Sequence, residues 1–295
     1  MASVSFNATG SFPTGLKFLP KLRDLRLISG QLSGTLHELG QLQQLTRLEL
    51  PQNKFTGKIP KDLYELDLVY LDLSRNELTG TIADQIGDLN NLEVLSLMEN
   101  RLTGNIPDSI GGLTRAEDLQ LQLNQLTGTI PTTVGQISKA HSLHLEDNKL
   151  TGTVPREISN MTGLVGFYFK GNRLSGTIPE ELYDLTNLYE FIATGCNLTG
   201  TISTKIGQWQ QLSNLYLNGN HFSGTLPSQL KSLMKLWGAK FSGNDLLRTV
   251  PICEVQNWSP EDFVLTADGK SNEISCPCCT ECCDALGEQC VPTGI

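Results

Sequence analysis

The sequence predicts an α/β solenoid, and three observations predict it. A unit typified by LHLEDNKLTGTVP, Leu143 to Pro155, returns about every 24 residues from near the N-terminus to Pro251. A period in this range marks a stack of coils, each burying its apolar face against its neighbours. Every unit opens with an alternating apolar pair before an asparagine slot, and closes with apolar residues spaced three apart.

The first element of each unit is a short strand. The asparagine slot is filled by Asn53, Asn76, Asn100, Asn124, Asn148, Asn172, Asn220 and Asn244, with Gly30 and Cys196 in the two remaining places. Five and three residues earlier stand apolar pairs such as Leu48/Leu50, Leu119/Leu121 and Phe167/Phe169. That alternation has the period of a strand with one face inward. The asparagine then bonds backbone groups where the chain leaves the strand, and stacked copies form a ladder. Cys196 reads as a small buried substitute, a structural free thiol.

The second element follows the asparagine as apolar, Ser/Thr, Gly, Thr, apolar, Pro, for example Leu126 to Pro131 and Leu174 to Pro179. Alternation again implies an extended segment, with Leu and Ile inward and the Thr pair outward. Its glycine lets adjacent coils approach closely. Proline ends the segment and opens a helical turn. The third element, with spacing such as Pro107-Ile110-Leu113, suits a short helix or 3₁₀ segment on the core.

The run LxLxxNxLxGxIPxxIGxL resembles the plant-type leucine-rich repeat of receptor-like kinase ectodomains, receptor-like proteins and polygalacturonase inhibitors. It covers about 250 residues in ten units, plus a partial one around Gly10-Ser-Phe-Pro13. The resemblance implies a right-handed curved array with a concave parallel β-sheet, short second strands, and 3₁₀ or short helices on the convex side. Arrays of this type usually begin with a paired-cysteine cap, and nothing like it precedes Phe12. The expectation is that N-terminal sequence is missing. Residues 1–251 read as the repeat domain and 252–295 as a cysteine-rich cap or tail. The CPCCTECC run resembles the tails of leucine-rich repeat proteins in diatoms and related algae.

Composition narrows the function classes. The net charge of -9 and the lack of Lys/Arg stripes argue against a nucleic-acid partner. No apolar run is long enough to span a membrane. The N-terminus lacks the basic and apolar regions of a signal peptide, yet other features point outside the cytosol. Seven of eight cysteines follow Val250, which suits an oxidising compartment. Sequons at Asn7, Asn160, Asn197 and Asn257 are glycosylation candidates. Cys253, Cys276, Cys278, Cys279, Cys282, Cys283 and Cys290 are disulfide candidates. Zinc is the alternative, but the pairs overlap and no histidine follows His221. No metal or cofactor is expected.

No catalytic constellation is present. The glycines are periodic and lack a following Walker lysine, the kinase motifs are missing, and His37, His141, His144 and His221 fall on different faces. The expected function is recognition of a protein, peptide or glycan on the concave sheet, within an extracellular or cell-surface receptor-like protein. Outward residues four before the asparagine slot place Tyr168, Ile192 and Tyr216 side by side as an exposed apolar patch. His144, Glu146, Lys170, Glu190, Asn214, Asn218 and Lys240 surround it, in the manner of a hot spot. The more charged N-terminal half reads as a solvated face.

A second surface is a strip of Thr/Ser-x-Thr rows formed by Thr127, Thr129, Thr151, Thr153, Thr177, Thr199, Thr201 and Thr225. It resembles the ice-binding faces of some β-solenoid antifreeze proteins and makes ice binding an alternative function. Inhibition of an enzyme, in the manner of polygalacturonase inhibitors, is another.

Overall fold

The computed structural model describes residues 2–5, 9–12, 14–247, 281–283 and 290–292. Its repeats stack as one coil. Eleven short parallel strands form a single sheet in chain order, from Ala2–Ser5 through Leu22–Arg26 and Ser142–His144 to Gly238–Lys240. The register pairs each residue with its equivalent in the next repeat: Ser142 with Gly166, Leu143 with Phe167, His144 with Tyr168. Alternation does what the pattern required, burying Leu143 and Leu145 while His144 stays half-buried.

The asparagine ladder holds each turn off the sheet. Asn148 Oδ1 accepts the Leu126 N–H of the preceding coil at 3.0 Å. Its Nδ2 donates to the carbonyls of Leu121, Leu145 and Glu146 at 3.0, 3.1 and 3.3 Å. One side chain thus pairs the Leu126 N–H and the Leu121 and Leu145 carbonyls, and leans on the Glu146 carbonyl, which also accepts the Leu123 N–H. Cys196 is buried in the same slot, where Sγ reaches only the Phe169 and Thr194 carbonyls at 3.4 and 3.9 Å.

The second strands form a six-stranded sheet from Thr9–Ser11 to Gln125–Thr127 and a four-stranded set from Ser175–Gly176 to Asp245–Leu246. Between them the strand is reduced to a Thr153–Ser175 bridge. Backbone bonding still continues, with Thr151 N–H on Gly128 O and Ser175 N–H on Gly152 O, both at 2.7 Å. The repeat glycine has two reasons to lack a side chain. Gly152 sits at φ 78°, and a Cβ there would stand 2.7 Å from the Thr129 methyl of the preceding coil.

The return side consists of 3₁₀ helices, such as Thr132–Gln136 and Arg156–Asn160. Every helical segment among the described residues is of this kind. Proline ends the extended segment and opens the helical turn from the cap position, just outside the helix. Pro131 stays extended at φ -68°, ψ 141°, and its carbonyl accepts the Val134 N–H at 3.1 Å. Strands about 4.8 Å apart crowd closer than helices can, so the coil bends with the long sheet on its concave face.

The chain between the array and the last strands lies outside the described residues. So do Cys253, Cys276, Cys278, Cys279, Asn7 and Asn257. Glu281–Cys283 and Cys290–Pro292 pair as antiparallel strands.

Candidate functional site

The concave sheet divides by how its charges are used. In the N-terminal half, Arg26 holds Asp24 through two bonds of 2.8 and 2.7 Å and reaches Glu49 at 3.4 Å. Arg47 also pairs with Glu49 and lies 3.9 Å over the Tyr70 ring. The Arg26 bond holds the Asp24 carboxyl below the usual carboxylate range. The arginines of these ion pairs stay partly exposed.

The second half carries a chain of ring and polar contacts across five repeats. His144 stacks on Tyr168 with centroids 4.2 Å apart and planes 5° from parallel. The Tyr168 hydroxyl donates to Glu190 Oε2, and Asn214 Nδ2 donates to Glu190 Oε1 at 2.6 Å. The Tyr216 hydroxyl donates to Asn214 Oδ1 at 3.5 Å. Lys240 Nζ lies 4.5 Å over the Tyr216 ring. Burial and the bond to Glu190 push the Tyr168 phenol well up from its ordinary value, so it stays a donor. Sheet register puts Ile192 between the two tyrosines.

The patch differs in one respect from the expectation. Tyr168, Ile192 and Tyr216 are half-buried rather than exposed. The rings lean instead of standing upright, because two glycines make room. A Cβ at Gly166 would meet Tyr168 ring atoms at 2.5–2.8 Å, and one at Gly238 would meet the Tyr216 hydroxyl at 3.0 Å. Glycine as the first residue of the strand was the legible signal for this arrangement.

The remaining concave residues sit at the border. Glu146 joins through His144 Nδ1 at 3.3 Å. Lys170 turns to the rim, 3.6 Å from Asp147, and Asn218 accepts from Thr194 at 2.8 Å. Asp118 accepts from Gln120 at 2.6 Å and from Ser142. A further exposed row lies at the entry edge of the strands, at Val165, Tyr189 and Trp237. Neither Asp118 nor this edge row was marked by the sequence pattern, which identifies only the central outward position.

Thr127, Thr129, Thr151, Thr153, Thr177, Thr199, Thr201 and Thr225 are all exposed. In the inner row, Thr151 and Thr199 hydroxyls donate to the Gly128 and Gly176 carbonyls at 3.2 and 3.3 Å. In the outer row, the methyls of Thr129, Thr153, Thr177 and Thr201 lie against the glycine of the next coil. Both rows therefore have fixed orientations. Asn160 is exposed on the convex side and Asn197 beside the threonine strip. Among the described residues no group of three or more His, Cys, Asp or Glu is placed to hold a metal. Among the described residues no helix is long and apolar enough to cross a membrane.

Family models described as leucine-rich repeats match residues 66–126, 139–161 and 211–233. Receptor-like protein 39 of Arabidopsis thaliana is 36% identical over 100 residues. The repeats are leucine-rich repeats of the plant type. The receptor protein-tyrosine kinase CEPR1 of the same plant is 35% identical over 89 residues. These matches take in 31% and 29% of the leucine-rich repeat chain, but only 11% and 9% of the relatives' own lengths. Among solved structures, the plant peptide hormone receptor RGFR1 in complex with RGF2 superposes with a TM-score of 0.83 at 32% identity. That match covers 86% of this chain and 41% of the receptor. A plant ice-binding protein superposes with a TM-score of 0.64 at 28% identity, covering 77% of this chain and 74% of its own.

Proposed function

We propose that the chain is a non-catalytic recognition module that holds a peptide or protein ligand against the second half of its concave sheet. The carrying observation is the contact chain from His144 through Tyr168, Glu190, Asn214 and Tyr216 to Lys240. Such a surface is held in shape before a ligand arrives, so little side-chain freedom is lost on binding. Aromatic residues ringed by polar groups suit an interface hot spot. Receptors of similar fold solved with peptide hormones support the reading. The same relatives support an extracellular or cell-surface setting; glycans at Asn160 and Asn197 and a cap formed by residues 252–295 belong to the proposal. In binding assays with partners captured from extracellular extract, the Tyr168→Ala/Tyr216→Ala double variant should lose affinity while its melting temperature is unchanged. Retained affinity in that variant would overturn the assignment.

One observation favours a second reading, adsorption to ice through the threonine strip. The strip is regular and oriented, and a protein of similar fold is an ice binder. The purified chain should then shape ice crystals, and Thr153→Lys with Thr177→Lys should abolish the effect. An absence of ice shaping at high micromolar concentration would remove this reading.

A further inference from the structure

Among the described residues, cation pairing of the concave-sheet carboxylates is confined to the first coils and does not reach Asp72, which accepts the Ser74 N–H at 2.9 Å. Asp24 and Glu49 face Arg26 and Arg47. Asp118, Glu146 and Glu190 have no lysine or arginine partner among the described residues: Asp118 and Glu190 accept from neutral side chains, and Glu146 faces only His144.

Within that uncompensated stretch, two acceptors are shielded and unpaired. Gln122 Oε1 and Glu146 Oε2 accept no hydrogen bond. They occupy equivalent places on adjacent coils, tied by the Leu123 N–H to Glu146 O bond of 2.9 Å. The Glu146 side chain is 14% exposed. Gln122 directs its amide N–H to the Met98 sulfur at 3.5 Å, a weak acceptor that gives the amide up readily. Native proteins rarely leave buried acceptors unpaired without a reason. A donor-rich cation supplies what is missing, since an ammonium offers three N–H groups and a guanidinium five. Met98 gives its apolar stem a surface to lie on, and the His144–Tyr168 stack walls the next coil.

We infer that the ligand of the concave sheet is a peptide presenting a lysine or arginine side chain, which seats between Gln122 and Glu146. The incoming cation turns the Gln122 amide off Met98 and bonds both oxygens. This inference rests on the reading of the concave sheet as the recognition face. It adds the charge and the seat of the ligand.

The test uses the whole chain and a capped Gly-Lys-Gly-Lys peptide, with the Gly-Gln-Gly-Gln peptide as its neutral match, titrated calorimetrically. The lysine peptide should bind saturably and the glutamine peptide at least roughly tenfold more weakly. Glu146→Gln and Gln122→Leu should each weaken the lysine peptide, the former roughly tenfold, without lowering the melting temperature. Glu181→Gln, on the convex helices, should leave binding unchanged. If Glu146→Gln fails to fold, Gln122→Leu decides the matter alone. Absence of saturable binding overturns the inference, as does equal uptake of the two peptides or equal weakening by Glu181→Gln. A chain that ignores the lysine peptide yet binds a partner through Tyr168 and Tyr216 keeps the recognition reading and loses this one.

Discussion

At the scale of single residues, the ladder slot shows how much one side chain decides. Cys196 leaves the Leu174 N–H without the oxygen that Leu126 finds in Asn148. Cys196→Asn should therefore raise the urea midpoint, by about 1–2 kcal/mol of stability. An unchanged or lower midpoint would mean that the slot has repacked around sulfur. Burial pushes the Cys196 thiol up to about 11, so iodoacetamide at pH 8 should leave it unmodified in the folded chain. The ladder was legible in the sequence because an asparagine at fixed period has one structural use. Left-handed backbone just before the slot is signalled only where glycine fills it, at Gly171, Gly195, Gly219 and Gly243. Gln52, Arg75, Glu99, Leu123 and Asp147 all adopt φ between 52° and 58°, a conformation the coil imposes against residue preference. Leu123→Asn places a residue that tolerates this geometry and should stabilise by about 0.5–1 kcal/mol, read from the same unfolding curve.

At the scale of elements, the 3₁₀ helices stack so tightly that glycine is dictated at some coils and optional at others. A Cβ on Gly135 would collide with the Glu157 carbonyl oxygen, a backbone atom that cannot step aside. One on Gly207 would meet only side-chain atoms, of Gln229 at 3.1 Å and Ser232 at 3.4 Å. Gly135→Ala should cost about 1–3 kcal/mol and Gly207→Ala well under half of that, compared by thermal melting. Tyrosine takes the same place at Tyr64 and Tyr183, and burial pushes both phenols up to about 12. Each folded phenol holds its proton more tightly than the unfolded one. Their contribution is therefore complete below pH 10 and is lost as pH climbs through 10 toward 12, by about 2–3 kcal/mol apiece. Tyr183→Phe should flatten that alkaline decline in a pH series of urea midpoints. The spacing of apolar residues announced these helices. Their tight 3₁₀ form, and proline staying extended before them, follow from how close the next coil lies, which one repeat read alone does not contain.

At the scale of the whole molecule, stability is a sum of nearest-neighbour contacts along the coil. The interface weakened at Cys196 is then a natural place for the array to part. Hydrogen exchange should show residues 197–247 opening before residues 53–172, and Cys196→Asn should narrow that difference. The fold was readable from periodicity because every copy repeats the same instruction. The recognition surface was readable only in outline. Register placed Tyr168, Ile192 and Tyr216 on neighbouring strands, whereas the tilt of the rings, the bond to Glu190 and the unpaired oxygens of Gln122 and Glu146 arise between copies.

The notch at Gly166 turns that last point into an instrument. Tyr168 reclines because the residue two places earlier has no side chain. A single added methyl, Gly166→Ala, would deny the ring its bed, break its tie to Glu190 and raise it from the sheet. The backbone coil beneath would remain as it is. The face of this array can thus be re-lettered one coil at a time by adding or removing carbon atoms beside an aromatic ring, leaving the ring itself in the sequence.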